Sequence, residues 1–165
     1  MDPVHVSVMI DRPREEVFSY LADVANHAEF SDHYLTNWHL LRIDSVGTGA
    51  GARFRVGVPL QRFDWGDMTL VTVERPHRIV ALGRYGKFNR IKTTAIWTLD
   101  NAPGGGTDVD YMFESEPLLP TDRIVEMLSG QRRWFKRKLR KAMKRLQSIL
   151  EENEDRGKRA TVVGL

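Results

Sequence analysis

The side chains in this sequence that could do chemistry at a small-molecule site are mostly aromatic. Phe30, Tyr34, Trp38, Phe54, Trp65, Tyr85, Trp97, Tyr111, Phe113 and Phe135 offer flat apolar surface, and the tyrosines and tryptophans carry a hydroxyl or indole N–H that needs a partner once buried. His33, between Phe30 and Tyr34, is a candidate hydrogen-bond partner for a ligand, and Arg55, Asp67 and Arg84 are candidate polar groups beside it. Aromatic surface with a few convergent polar groups describes a pocket that binds a small molecule. Reactive chemistry has less support, because no Ser-His-Asp arrangement and no pair of catalytic carboxylates emerges. The absence of cysteine removes a disulfide framework, a thiolate zinc site and a cysteine nucleophile together. His5, His27, His33, His39 and His77 show no metal-ligand spacing, so no metal and no cofactor is expected. Gly47-x-Gly49-x-Gly51 leads into strand-like residues 52–56 rather than a helix N-terminus, and therefore reads as a hairpin turn and not a phosphate cradle.

The elements that must position these groups follow from periodicity. Val4, Val6, Val8 and Ile10 alternate with His5, Ser7 and Met9, which predicts a half-buried strand. Asp11-Arg12-Pro13-Arg14-Glu15-Glu16 then supplies a capping Asp, an early Pro and first-turn carboxylates. Val17, Phe18, Leu21 and Val24 give the helix its apolar stripe, and a second short helix over 24–30 makes an elbow with it. Segments 38–46, 52–58, 63–74, 78–85, 91–99 and 109–116 are strand-like and separated by short turns, so they form an antiparallel meander that totals seven strands with the first. Beyond Pro117 and Pro120, Ile124, Leu128, Phe135, Leu139, Met143, Leu146 and Leu150 mark one long amphipathic helix from Thr121 or Asp122 to about Glu152. Gly130 inside it predicts a kink or a close approach of another group. Residues 1–152 thus form one domain, and 153–165 read as a flexible tail.

At 165 residues the chain can bury a single sizeable core. No apolar run reaches membrane-spanning length and no signal-peptide pattern opens the sequence, which predicts a soluble cytoplasmic protein. The formal net charge of +3 is uneven. Nine of the 25 Lys and Arg residues lie between Arg132 and Arg145, and without them 16 basic residues face 22 acidic ones. Any anionic partner should therefore meet the last helix, with a weak anionic membrane contact through Arg137, Lys141, Lys144 and Arg145 expected ahead of nucleic acid.

Strand, two short helices, six antiparallel strands and a long helix make an α+β pattern with the helices on one sheet face, leaving a cavity between them. This order resembles the START-like (SRPBCC) superfamily with its helix-grip fold, which includes polyketide cyclases, aromatases and lipid-transfer domains. Similar chains open with a strand and then "aP.e.Vf..l.D", which here reads Asp11 to Asp23 through Pro13, Glu15, Val17, Phe18 and Leu21. Phe30 stands where the family usually carries Trp. The Gly-rich turn is Gly47 to Gly51, and the "W.l....gGT.v" strand pair is Trp97, Leu99, Gly105, Gly106, Thr107 and Val109. The resemblance implies a seven-stranded curved sheet gripping the long helix, and a ligand such as a lipid or polyketide-like molecule in between. It also implies, for cyclase members, an Arg that polarises carbonyls on the strand after the Gly-rich hairpin. Thr69 occupies that place here. Binding of a small hydrophobic or aromatic ligand is thus the expected function. A polyketide cyclase or dehydratase is the alternative, and a membrane- or partner-docking module acting through the basic helix is a second one.

Overall fold

The computed structural model describes residues 1–60 and 62–162. Strand β1 (Val4–Ile10) buries Val4, Val6 and Ile10 and exposes His5 and Ser7, as its alternation requires. Helix α1 (Arg14–Leu21) buries Val17, Phe18 and Leu21, and α2 (Val24–Ser31) is capped by Asp23, whose carboxylate accepts the Ala25 N–H at 3.1 Å. The meander follows as β2 (Leu35–Leu40), β3 (Gly51–Val56), β4 (Trp65–Glu74), β5 (Arg78–Tyr85), β6 (Ile91–Asn101) and β7 (Thr107–Pro117). Then come α3 (Pro120–Leu128), α4 (Gln131–Glu152) and β8 (Thr161–Val162). The sheet order is β1-β7-β6-β5-β4-β3-β2-β8, antiparallel throughout except for the parallel β2–β8 pair.

The α+β helix-grip architecture is the expected one, with three local corrections. Among the described residues the sheet has eight strands rather than seven, because residues after α4 return to the free edge of β2. The predicted single long helix is two: Gly130 sits at φ +66°, a left-handed conformation that ends α3 and turns the chain into α4. Residues 41–46, two thirds of the first predicted meander strand, are bends and loop apart from an isolated bridge of Val46 to Asp23, and β2 starts earlier, with a register shift between Thr36 and His39 around Asn37 at φ +51°.

The segment read as a tail lies against the elbow. Arg156 Nη1 donates to the Glu29 carboxylate at 2.7 Å, Arg159 pairs with Asp23, Gly157 N–H donates to the Glu29 carbonyl at 2.9 Å, and Ala160 N–H donates to the Ala25 carbonyl at 3.0 Å. Glu29 is itself buried and also accepts the Tyr20 hydroxyl at 2.6 Å. These contacts hold α2, one wall of the interior, from behind. Helix α4 closes the concave side by burying Phe135, Leu139, Ala142, Met143, Leu146 and Ile149, and truncating Leu146 or Ile149 to Ala costs about 2–5 kcal/mol.

Replacing Arg156 by Ala leaves the buried Glu29 carboxylate with a single side-chain partner. The expected loss is about 1–2 kcal/mol of unfolding free energy, read from urea denaturation, whereas an unchanged midpoint would mean the segment merely rests on the surface.

Candidate functional site

Between the sheet and the helices lies a cavity, about 80 Å³ as space open to the centre of a water molecule. Its floor is set by strand parity. The inward positions pair across the sheet as Met68 with Gly83, Gly83 with Thr93, Ala81 with Ala95, and Trp97 with Tyr111. Gly66 opposes Phe54 on one side and Tyr85 on the other, and a Cβ there would meet a ring carbon of Phe54 and the Cβ of Tyr85, both at 3.2 Å. Gly83 is more constrained, since a Cβ would fall 2.1 Å from the Asp67 carbonyl oxygen. The middle strands thus present small side chains to the interior, and larger rings stand around them.

The other wall comes from α2 with His27, Phe30 and Ser31, from Tyr34 just beyond it, and from α4 with Phe135, Leu139 and Ala142. Rings pack against one another along the perimeter. Centroids lie 4.6 Å apart for Trp38 and Phe54, 4.7 Å for Trp97 and Tyr111, and 4.8 Å for Phe113 and Phe135. The surface facing the space is therefore nearly all carbon.

Of the predicted site residues, Phe30, Tyr34, Trp38, Phe54, Trp97, Tyr111, Phe113 and Phe135 line this cavity. Asp67 and Arg84 also border the cavity, but strand alternation turns their side chains to the outer face, where Asp67 Oδ1 accepts the Arg84 backbone N–H at 3.1 Å. Arg55 and Trp65 are on that outer face as well: the guanidinium carbons of Arg53 and Arg55 each lie 5.0 Å from the centroid of the Trp65 ring. His33 is outside the lining, with Nε2 donating to the Lys138 carbonyl of α4 at 3.1 Å. Tyr85, also among the aromatic residues singled out, lines the cavity too, and the lining residues that sequence reasoning passed over are chiefly small ones, Ala81, Gly83, Ala95 and Ala142, together with His27 and Ser31. Their signal was size at every second strand position, which becomes legible only once one inward residue is known.

The polar groups of the cavity are neutral. His27 Nε2 donates to the Leu21 carbonyl at 2.7 Å, which leaves Nδ1 as a bare acceptor, and the ring packs 5.1 Å from Trp97. Burial lowers its pKa to about 4, against the partial compensation of that backbone bond. Burial likewise raises the pKa of Tyr34 and Tyr111, so both hydroxyls keep their protons as donors. The Trp97 indole N–H is buried without an acceptor. Among the described residues, no group of three or more metal-ligating side chains is assembled, and no helix is long and apolar enough to cross a membrane.

Residues 1–151 match the family model described as "Polyketide cyclase / dehydrase and lipid transport". The chain belongs to this family. Solved structures agree on the fold. The KanY protein superposes with a TM-score of 0.70 at 13% identity, over 90% of this chain and 96% of that one. TTHA0849 from Thermus thermophilus gives 0.67 at 14% identity, over 90% and 96%. DynU16, a protein in the dynemicin biosynthetic locus, gives 0.62 at 20% identity, over 95% of this chain and 50% of its own. No curated protein matches the sequence. In this member of the polyketide cyclase/dehydrase and lipid transport family, Thr69 stands where the cyclase resemblance sets an Arg, and it alternates with the inward Met68 and Leu70 to the outer side. Of the four cations predicted to form a free basic surface, Arg137, Lys141 and Lys144 are exposed, whereas Arg145 is paired with Asp32 and donates to the Asp155 carbonyl at 2.8 Å.

The His27 shift sets a pH dependence. The unfolded ring takes its proton near pH 6.5 and the folded one near pH 4, so its neutral burial is fully compatible with folding above about pH 6.5. Stability then declines as pH falls through that window, by up to about 3 kcal/mol from this group. With His27→Gln, whose amide can still donate to Leu21, the drop in unfolding free energy between about pH 7 and pH 5 should shrink by about 2 kcal/mol. An identical pH slope in both proteins would show that the ring already protonates in the folded state.

Proposed function

We propose that this protein binds a small, neutral, largely apolar molecule with at least one flat face, held between the sheet and α4. The observation that carries this reading is a largely carbon-lined space bounded by small residues on the middle strands, with the charged residues that border it, Asp67 and Arg84, alternating to the outer sheet face. A filled core would place Leu or Phe at Ala81 and Ala95; here those positions leave room beside aromatic rings. Trp97 Nε1 together with the Tyr34 and Tyr111 hydroxyls gives such a molecule hydrogen-bond donors, which suits a ligand carrying a carbonyl or hydroxyl oxygen.

Catalysis is the second reading, favoured by a family description that includes cyclases and dehydrases. Any proton transfer would fall to His27 and the tyrosines, because Asp67 and Arg84, the charged residues that border the cavity, alternate to the outer sheet face. An oxyanion developing there would meet neutral donors only, so turnover of polyketide-like substrates should be absent or slow.

Native mass spectrometry of the freshly purified protein should reveal a retained small molecule. Titration with an apolar naphthalene-type fluorophore should show binding with a negative heat-capacity change. Ala95→Phe fills the space at an overpacking cost of about 1–3 kcal/mol and should weaken the probe by at least about tenfold in protein that is still folded by circular dichroism. Undiminished probe binding by that variant would remove the cavity as the site.

A further inference from the structure

At the end of the sheet where β5 leaves the cavity at Tyr85, three separate segments push large apolar side chains into solvent. Phe88 after β5 is 84% exposed, Leu118 after β7 is 70%, and Met127 and Leu128 on α3 are 73% and 77%. Ile124 and Phe63 are half exposed. They form one surface. Lys87 Nζ lies 6.0 Å from the Phe63 ring centroid and 5.3 Å from that of Phe88. The Leu118 N–H donates to the Arg90 carbonyl at 3.1 Å, and Arg90 pairs with Asp122 of α3 at 2.7 Å. Arg123, Met127, Leu128, Arg132 and Arg133 then share a single recess.

Soluble proteins rarely leave so much apolar surface together without a use for it. α3 is amphipathic in an uncommon sense: its polar Glu126 is the buried residue, accepting the Ser115 hydroxyl at 2.6 Å, while Ile124, Met127 and Leu128 point outward. Holding Glu126 down turns the apolar side up.

Charge narrows the occupant. Arg62, Lys87, Arg123, Arg132 and Arg133 are exposed here and form no ion pair among the described residues. Of the neighbouring carboxylates, Glu126 is buried, Asp122 pairs with Arg90 and Asp64 with Arg55, leaving Asp2 and Glu116. A second copy docked by a two-fold axis would set these cations against their own images. Apolar tips from three segments, scattered among cations, suit a soft anionic medium that takes each tip separately.

We propose that this end of the molecule docks on an anionic lipid surface, with Phe88, Leu118, Met127 and Leu128 entering the headgroup boundary and the surrounding cations meeting lipid phosphates. The basic face of α4 extends the attraction along the bilayer, but the attachment point is α3 and the two loops. Docking there brings the Tyr85 and Phe135 end of the cavity toward the membrane.

The full chain should co-sediment with phosphatidylcholine vesicles containing about 30% phosphatidylglycerol and not with phosphatidylcholine alone. Part of the binding should survive about 0.5 M salt, because apolar insertion is not screened as charge attraction is. Phe88→Asp combined with Met127→Asp and Leu128→Asp should lower binding at least about tenfold without altering the melting temperature, since all three side chains are exposed. Three results would overturn the proposal. One is no sedimentation of the parent protein. Another is binding lost on changing Arg137, Lys141 and Lys144 to Glu yet untouched by the Asp variants, which would make the contact electrostatic and place it on α4. The third is a concentration-dependent dimer, seen by analytical ultracentrifugation, that the Asp variants dissolve.

Discussion

Helix α4 has to close a sheet whose middle strands offer it very little to pack on. Gly66 on β4, Ala81 and Gly83 on β5, and Thr93 and Ala95 on β6 face inward, while Trp97, Tyr111, Phe113 and Phe54 stand around them. A helix is a rigid rod and a curved sheet a rigid trough, so the side chains of α4 cannot reach into every recess. Fully buried Leu146 and Ile149 seal one part of the contact, and Phe135, Leu139 and Ala142 roof the space that remains. Enlarging a middle-strand residue would fill the cavity at the expense of strain in the residues around it.

The electrostatics of the interior follow from that geometry. An apolar space disfavours charge, and the sheet's alternation sends Arg53, Arg55, Asp67 and Arg84 to the outer side, where solvent and the Trp65 ring accommodate them. What remains inside is a deprotonated imidazole, protonated phenols and an indole N–H. Such a set can orient a neutral oxygenated molecule, but it gives little stabilisation to a developing ion.

The two ends of the helical layer are held differently. Behind α2, residues 153–162 are fastened through Arg156, Arg159 and backbone bonds to the elbow, and they extend the sheet by a short parallel strand. At the other end α3 is fastened by the buried Glu126, which directs its apolar side chains outward. One end is thereby sealed by polar contacts, whereas the other is left apolar and surrounded by cations.

Much of this was legible in the sequence, because alternation in β1 and in residues 78–85, the helical spacing from Phe135 to Leu150, and the turn residues between strands are local signals with local causes. They determined the order of elements, the antiparallel meander and the grip of the last helix, and of the aromatic residues they singled out all but Trp65 border the cavity. Tertiary structure decided the rest. Whether Arg55, Trp65, Asp67 and Arg84 face the cavity depends on the absolute parity of each strand, and a one-residue shift reverses every side chain. The register shifts in β2 and β4 move that parity partway along a strand. The seating of residues 153–162 depends on an edge of β2 and a carboxylate, Glu29, that lie more than a hundred positions away in the chain. The outward turn of α3 likewise depends on Ser115, because an amphipathic pattern defines two faces but only the partner determines which one is buried.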